Sequence, residues 1–405
     1  MKRFLITALV CICSMMLCGS EFSVKKFGAK GDGKTDDTAA IRKAVEAAGK
    51  KCRSRRSYRS TTRTSYYGAG VTVTFPAGIY KITDTINVPN YVSLKGENAR
   101  PILEWGGADE KKGVMFKVSA FRNDIEKLIF VGGGVQLFFT NKNTDKTMIT
   151  VRDCQFLFAG EFAIKMEPVA PADHMSVQCT ISNCLFSKNY RCVQNFGDLM
   201  AIRECWIDAA QPQLCDGAMI VNKYGTLLMQ FCCLVPSANP DKGPNYYHNA
   251  RWVDNYGRFE AESVRFGGEG GGIPAVYHYG TVSNSHPFAG GSKVRFSNCM
   301  LSFGQTRRAN GCAIRLFRLP QQLIIENNTN SYNHPFIVCD PSLDIAKELK
   351  NHRVIPHIVW RVYGNIQNMM IPKELKRFFK PGSEAVFADV ITKPVPAEVT
   401  IGKKK

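Results

Sequence analysis

The stretch between Asn239 and Gly291 concentrates residue types that can bind and transform a sugar chain. Carboxylates, histidines and tyrosines can transfer protons, and arginines pair with the carboxylates of uronate residues. Aromatic rings offer apolar faces to the C–H faces of sugars. The candidate catalytic residues are Asp254, Glu262, Glu269 and His278, and the candidate substrate-binding residues are Arg251, Trp252, Tyr256, Arg265, Tyr277 and Tyr279.

Two reactions fit these residues. In a lyase, Arg251 or Arg265 would neutralise a uronate carboxylate, and His278 or a nearby tyrosine would move the proton. In a hydrolase, two of the three acids Asp254, Glu262 and Glu269 would act as acid and base. A third alternative is a glycan-binding or surface-attachment protein without catalysis, which the absence of a recognised catalytic motif favours.

Structural roles compete with these functional roles. Arg258, Glu260 and Glu262 alternate along the chain and fit a solvated row of charges on one strand face. His278 fits a core or surface position equally well. Glu269 stands alone among the glycines from Gly267 to Gly272, which have no evident packing purpose and would let the backbone approach a ligand closely.

The elements that position these residues form an internal repeat. Windows of the type apolar-x-polar-Cys-x-apolar recur at intervals of 21 to 35 residues. The alternation within each window has a period of two, which predicts strands, and irregular spacing between constant strands is typical of a parallel β-helix. The windows are IEKLIF at Ile125, VRDCQF at Val151, ISNCLF at Ile181, IRECWI at Ile202, MQFCCL at Met229, AESVRF at Ala261, FSNCML at Phe296 and IENNTN at Ile325.

The repeat explains most of the cysteines. Twelve of the fifteen cysteines follow residue 20, a number that in a secreted chain would favour disulfides. Cys154, Cys184, Cys205, Cys232 and Cys299, however, occupy one position of the repeat, where they would stack inward as reduced thiols. Asn183, Asn298 and Asn327 flank this position and could form amide ladders.

The N-terminal part predicts targeting and capping segments. Residues 1–20 have the basic start, apolar centre and small-residue exit of a signal peptide, so we expect a secreted or periplasmic protein; lipid attachment at Cys18 is the weaker alternative. A helix should follow GDGKTDD, with Thr35 as N-cap and Gly49 as the stop. Seven basic residues and no acid lie in residues 50–67, a loop that is either solvated or a patch for an acidic polymer.

The segments FGAKGDGKTDDTAAI and VTVTFPAGIYKITDTINVPNYVSLKGEN resemble the N-terminal signature of the pectate lyase-like right-handed β-helix superfamily, in its rhamnogalacturonase/epimerase-like branch. The resemblance implies an all-β fold, a single-stranded right-handed parallel β-helix whose open end is capped by the helix at residues 27–49. We expect the solenoid to span residues 21–340 and a small α/β cap and tail to span 341–405. In that cap, residues 344–352 and 371–379 read as helices around a strand.

The resemblance does not extend to the catalytic motifs of the superfamily. The NTD, DD, GHG and RIK motifs of polygalacturonase-like hydrolases are absent. RLFRLP, from Arg315, superficially resembles the arginine segment of pectate lyases, but clustered calcium-binding aspartates are missing. We expect no cofactor, with a calcium ion as the alternative although no ligand cluster is evident. A signal peptide argues against a nucleic-acid partner, and no later stretch approaches ~20 apolar residues, so we expect no transmembrane segment. The expected partner is a polysaccharide, anionic because the chain carries a net charge of +19.

Overall fold

The described strands form three parallel sheets, and each coil of the chain contributes one strand to each sheet. The fold is therefore a right-handed parallel β-helix. In this computed structural model the described residues are 21–55, 70–109, 111–141, 147–169, 174–208, 217–235, 251–268, 274–280, 292–303, 312–330, 336–351 and 359–363. The predicted fold class is confirmed.

Each sheet collects every third strand of the chain. Sheet 1 contains β2 (Val71–Phe75), β5 (Val92–Gly96), β8 (Asp124–Glu126), β11 (Thr147–Arg152), β14 (Met175–Ser182), β17 (Gly197–Arg203), β20 (Thr226–Gln230), β23 (Arg258–Glu262), β26 (Lys293–Ser297), β29 (Gln322–Glu326) and β32 (Val359–Tyr363). Sheet 2 contains β1 (Asp32–Asp36), β3 (Ile79–Ile82), β6 (Ile102–Trp105), β9 (Ile129–Val131), β12 (Gln155–Leu157), β15 (Leu185–Ser187), β18 (Trp206–Asp208), β21 (Cys233–Val235), β24 (Arg265–Gly268), β27 (Met300–Phe303) and β30 (Thr329–Asn330).

Sheet 3 completes the coils, and most of the candidate site residues lie on or directly after its strands. It contains β4 (Ile86–Val88), β7 (Val114–Val118), β10 (Val135–Phe139), β13 (Phe162–Met166), β16 (Val193–Asn195), β19 (Ala218–Asn222), β22 (Arg251–Asn255), β25 (Val276–His278), β28 (Ile314–Leu316) and β31 (Ile337–Cys339).

The sharp bend from sheet 1 to sheet 2 explains the repeated window. Its third residue has a positive φ in each coil, for example 56° at Asp153, 50° at Asn183 and 53° at Asn298. Asn and Asp tolerate this left-handed conformation better than most residues, so the asparagines serve mainly as turn formers. The predicted amide ladder is limited here to Asn183, whose Nδ2 donates to Asp153 Oδ1 at 2.6 Å.

In five of the eight repeated windows the residue that follows the bend is a cysteine, and this cysteine points into the core. Cys154, Cys184 and Cys205 are buried, and each thiol donates to the backbone carbonyl two residues earlier, at 3.2, 3.2 and 3.1 Å. Beside this column the rings of Phe130, Phe156 and Phe186 stack face to face with centroids 5.0 and 4.9 Å apart. Part of the core is therefore built from identical side chains that stack in successive coils.

We expect thiol counting in denaturant without reductant to recover more than half of the twelve cysteines that follow residue 20. The eleven cysteines in the described part of the chain are thiols rather than halves of disulfides, and burial raises the pKa of Cys179 to about 12 and that of Cys299 to about 11. The same reagent should react slowly with the native protein, because buried thiols do not form the reactive thiolate. Recovery near zero would show a disulfide framework instead.

The N-terminal cap helix, α1, spans Thr38–Arg55, which corrects two predictions about its ends. Asp37, rather than Thr35, is the N-cap, because its carbonyl accepts the first helical bond from the Ile41 N–H. The helix also continues through Gly49, so the first residues of the expected basic loop are helical and 56–67 lie outside the described residues. Gly49 serves close packing instead, since a Cβ there would lie 2.8 Å from Pro89 Cγ.

The acids of GDGKTDD accept backbone N–H groups and so stabilise the turn that precedes this helix. Asp37 is buried and accepts the backbone N–H groups of Lys30 and Gly31 at 2.6 and 2.9 Å. Asp32 accepts the N–H groups of Lys34 and Thr35, and these bonds lower the pKa of Asp32 to about 2. The stretch is a structural signature, as its resemblance implies.

Beyond residue 340 the structure describes one helix and one strand. Helix α2 (Ile345–Asn351) is fixed by Glu348, which pairs with Arg318 at 2.8 Å. Strand β32 extends sheet 1 by pairing with β29. The second helix predicted at 371–379 lies outside the described residues, as do the proposed signal peptide and the end of the C-terminal tail.

Candidate functional site

Five of the ten candidate residues meet on the outer surface of sheet 3, near its C-terminal end. Asp254 on β22 lies in register with Tyr277 on β25, and Tyr277 lies in register with Arg315 on β28. Arg251, Tyr256 and Tyr279 lie on or directly after the same strands. We call this group, with Lys223, Phe317 and Asp340 beside it, the sheet 3 cluster.

Arg251 and Asp254 form a two-pronged ion pair. Nε and Nη2 of Arg251 both donate to the Asp254 carboxylate, the second at 2.7 Å, and both side chains are largely buried. Burial disfavours the charged guanidinium, but the bond and charge of Asp254 outweigh it, so the pKa of Arg251 is raised. The pair therefore fixes a cation and an anion in one orientation.

Tyr277 lies between two guanidinium groups. The Arg251 carbon Cζ lies 4.9 Å from the ring centroid, and that of Arg315 lies 5.5 Å away. Burial raises the pKa of Tyr277, while the two arginines act in the opposite direction. The phenol is thus neutral near pH 7, and its ring lies beside two cations.

Sequence reasoning missed Arg315 and Asp340 as members of this cluster. Arg315 Nη1 donates to Asp340 Oδ2 at 3.2 Å. Asp340 is fixed in turn by the backbone N–H and hydroxyl of Ser342, at 2.9 and 2.6 Å. The run RLFRLP was the available signal for Arg315, but nothing in the sequence links it to β25.

The aromatic side chains of the cluster stack on each other, which corrects the expected role of their faces. The rings of Tyr256, Tyr279 and Phe317 follow one another in successive coils, with centroids 4.9 and 4.6 Å apart. The ammonium group of Lys223 lies 4.5 Å from the ring centroid of Tyr256. A ligand would therefore meet ring edges and phenol groups rather than open ring faces.

Two candidate residues point into the solenoid, and burial removes them from a surface site. Trp252 is fully buried and its Nε1 donates to the carbonyl of Gly267 at 3.2 Å, so no sugar can stack on it. His278 is fully buried and ends an internal column of polar side chains formed by Asn195, Asn222 and Asn255. His278 therefore does not face the outer surface on which Asp254 and Tyr277 lie.

Two further candidates lie on other sheets. Glu262 ends β23 in sheet 1 and accepts a bond from Gln230 Nε2 at 2.7 Å. Arg265 begins β24 in sheet 2 and is exposed. Neither side chain shares a sheet with Asp254 or Tyr277, so the structure does not bring Glu262 together with Asp254. Glu269 lies outside the described residues.

The described part of the chain shows neither a metal-binding group nor a membrane-spanning helix. There, no group of three or more His, Cys, Asp and Glu side chains is placed to hold a metal ion. Within the same residues we find no helix with the length and apolar character that crossing a membrane requires.

Comparison with known proteins confirms the resemblance to the pectate lyase-like superfamily. Residues 21–124 match the family model described as rhamnogalacturonase A/epimerase, pectate lyase-like. The matched segment holds the cap helix and the first coils, and it ends before the sheet 3 cluster begins.

Individual relatives match only short segments. The chain is 43% identical over 63 residues to alginate lyase 7 of Azotobacter vinelandii, covering 16% of this chain and 5% of that protein. It is 40% identical over 75 residues to a probable glucan endo-1,3-β-glucosidase of Arthroderma benhamiae, covering 18% and 6%. The chain thus spans about one twentieth of the length of these curated relatives.

Among solved structures, the N-terminal fragment of bacteriophage Phi29 gene product 12 is similar at 13% identity and a TM-score of 0.49. The similarity covers 84% of this chain and 56% of that one.

Proposed function

We propose that this protein is a secreted or periplasmic carbohydrate-active protein that binds an acidic, uronate-containing polysaccharide on the sheet 3 cluster and cleaves it by β-elimination. The observation that carries the proposal is Tyr277 between Arg251 and Arg315 on an outer face of the solenoid. The names of the curated relatives, a lyase and a glucosidase, support the broader class of carbohydrate-active proteins.

The proposed chemistry assigns one role to each group. Arg251 and Arg315, which hold Asp254 and Asp340, would neutralise a uronate carboxylate of the substrate. Neutralising that carboxylate makes the adjacent C–H more acidic. Asp254, one coil from Tyr277, would accept this proton, and the neutral Tyr277 phenol would protonate the departing glycosidic oxygen.

Elimination fits this cluster better than hydrolysis. Asp340 follows β31, three strands beyond β22, so about 14 Å of solenoid separates it from Asp254. Acid and base carboxylates of glycosidases lie about 5–9.5 Å apart. The two acids of the cluster are therefore too distant to act as such a pair.

Binding without turnover is the second candidate function. The paired charges and stacked rings of the cluster form a rigid surface whose groups already hold one another, and such a surface can bind a glycan without doing chemistry.

The deciding experiment is a screen of the purified protein against uronate and neutral polysaccharides. Ultraviolet absorbance would report the unsaturated ends that elimination creates, reducing ends would report any cleavage, and affinity electrophoresis would report binding. We expect unsaturated ends from a uronate polymer only. Reducing ends without absorbance would indicate hydrolysis, and retardation without new ends would indicate binding alone. Neither binding nor turnover on any polymer would contradict the proposal.

A further inference from the structure

The row of outward side chains that contains Asp254 and Tyr277 continues toward the N-terminal end of the solenoid. On sheet 3 it runs in register through Val221, Gln194, Lys165, Phe138 and Lys117. Arg191 lies three residues before Gln194 in the chain. Lys223 lies two residues after Val221. Basic side chains therefore lie on this row and on both sides of it, over the strands of sheet 3 that precede β22.

Two lysines, Lys117 and Lys223, lie at the two ends of this stretch, and both are exposed. The ammonium group of Lys117 lies 6.0 Å from the ring centroid of Phe138. The ammonium group of Lys223 lies 4.5 Å from the ring centroid of Tyr256. Within the described part of the chain, neither lysine forms an ion pair with a carboxylate. Their charges are therefore available to an anionic ligand.

Arg191, between these lysines, is positioned by packing against aromatic rings. Its carbon Cζ lies 5.5 Å from the ring centroid of Tyr190 and 5.7 Å from that of Phe162. Gly217 leaves room for the guanidinium, since a Cβ there would lie 2.7 Å from Nη2 of Arg191. Among the described residues, the buried Nε of Arg191 has no hydrogen-bond partner and its guanidinium has no carboxylate partner. A carboxylate of a ligand can therefore pair with this group.

The remaining basic residues of this face differ, because carboxylates of the protein already neutralise them. Lys165 lies 2.9 Å from a carboxylate oxygen of Glu161 and 3.3 Å from one of Glu167. Arg251 and Arg315 pair with the acids of the sheet 3 cluster. The face thus combines a paired, rigid cluster with a stretch of basic residues that lack such partners.

On the C-terminal side of the cluster, the described part of sheet 3 offers no such basic residue. Strand β31 follows β28 in the sheet and places Val338 in register with Arg315. Asp340 comes next and pairs with Arg315 at 3.2 Å. In the described residues of this face, the basic side chains without a carboxylate partner therefore lie on the N-terminal side of the reacting groups.

We propose that the uronate polymer extends from the sheet 3 cluster toward the N-terminal end of the solenoid, and that carboxylates along it bind Lys223, Arg191 and Lys117. At ~4.8 Å per strand, Arg191 lies about 14 Å and Lys117 about 29 Å from Tyr277 along the solenoid axis. This inference rests on the proposed function and adds to it that most of the bound sugars lie on one side of the reacting bond. Longer chains should therefore bind more tightly than short ones.

Steady-state kinetics on a uronate polymer and its size-graded oligosaccharides, with alginate as the first polymer, test the inference. For the unmodified protein we expect KM to fall as the chain lengthens. Arg191→Gln should raise KM for the polymer about tenfold and leave kcat unchanged, because it removes a charged contact far from the reacting bond. KM for the shortest oligosaccharide that is cleaved should not change, since such a chain need cover only the cluster. If the protein binds without turnover, Kd replaces KM.

Arg203→Gln is the matched control for this experiment. Arg203 is exposed at the end of β17 on sheet 1, so the variant loses the same charge on another face of the solenoid. We expect it to bind the polymer and the shortest oligosaccharide like the unmodified protein. Arg191→Lys retains the charge at the site and should restore most of the affinity for the polymer. Circular dichroism would verify that all three variants are folded.

Failure of this inference can be distinguished from failure of the proposed function. A polymer KM that Arg191→Gln leaves unchanged, or a KM that does not depend on chain length, would overturn the extended binding surface and leave the sheet 3 cluster in place. An equal rise in KM for the polymer and the shortest oligosaccharide would overturn it too, because it would indicate a general disturbance of the face. If the unmodified protein neither binds nor cleaves any uronate polymer, the proposed function fails and this inference fails with it.

Discussion

Replacing Tyr277 by phenylalanine is expected to lower turnover of a uronate polysaccharide at least ~100-fold, as the loss of a general acid or base typically does. The ring would remain between Arg251 and Arg315, so the binding affinity should change little. Initial rates and a binding isotherm on the same polymer, for both proteins, measure the two effects separately.

Tyr279→Phe is the matched control for this experiment. Tyr279 stacks between Tyr256 and Phe317, and the phenylalanine already present in that stack shows that a phenyl ring fits the position. We expect this variant to retain activity within a few-fold. Equal losses in both variants would point to a general disturbance of the surface, and undiminished turnover in Tyr277→Phe would remove Tyr277 from the mechanism.

Acidification from pH 7 to pH 4 is expected to lower the free energy of unfolding by about 3 kcal/mol through His278 alone. Burial lowers the pKa of His278 from 6.5 to about 3 in the folded protein. Between these values the unfolded chain binds a proton that the folded chain excludes. The contribution of His278 is therefore complete above pH 6.5 and is lost progressively as the pH falls toward 3.

The burial of His278 and its hydrogen bond to Asn255 explain why the ring stays neutral. Asn255 Nδ2 lies 2.9 Å from Nδ1 of His278, and Oδ1 of Asn255 already accepts from Asn222, so Nδ1 of His278 is the acceptor. The proton of the neutral ring is then on Nε2, which is buried near Gly280 and Ser292. Protonation of Nδ1 would break the bond to Asn255 and bury a charge.

His278→Asn is the control, because asparagine occupies this position in the three preceding coils of the ladder, at 195, 222 and 255. Denaturant titrations at pH 7, 6, 5 and 4 would give the free energy of unfolding of both proteins. The smaller side chain adds a constant penalty, whereas the difference between the proteins should shift by about 3 kcal/mol across the range. Parallel pH profiles would show that His278 is protonated in the fold or accessible to solvent.

The sequence by itself determined the architecture. A window with period-two alternation, a left-handed turn residue such as Asp153 or Asn298 and an inward cysteine describes one corner of one coil, and its recurrence dictates a solenoid. These signals are local, since each depends on the backbone and burial preferences of a few adjacent residues. The cap helix was predicted for the same reason. Its C-terminal end was misplaced, because Gly49 packs closely against Pro89, which is distant in sequence.

The tertiary structure alone decided which side chains form the site. Alternation along β25 turns Tyr277 outward and His278 inward, but the sequence does not state which of the two faces solvent. The coils differ in length, so the register that brings Asp254, Tyr277 and Arg315 into one row is set by hydrogen bonding between strands rather than by spacing in the chain. The same register separates Glu262 and Arg265 from that row, because each bend of the coil moves the chain to another sheet. Proximity in sequence between Asn239 and Gly291 was therefore an incomplete guide to proximity in space.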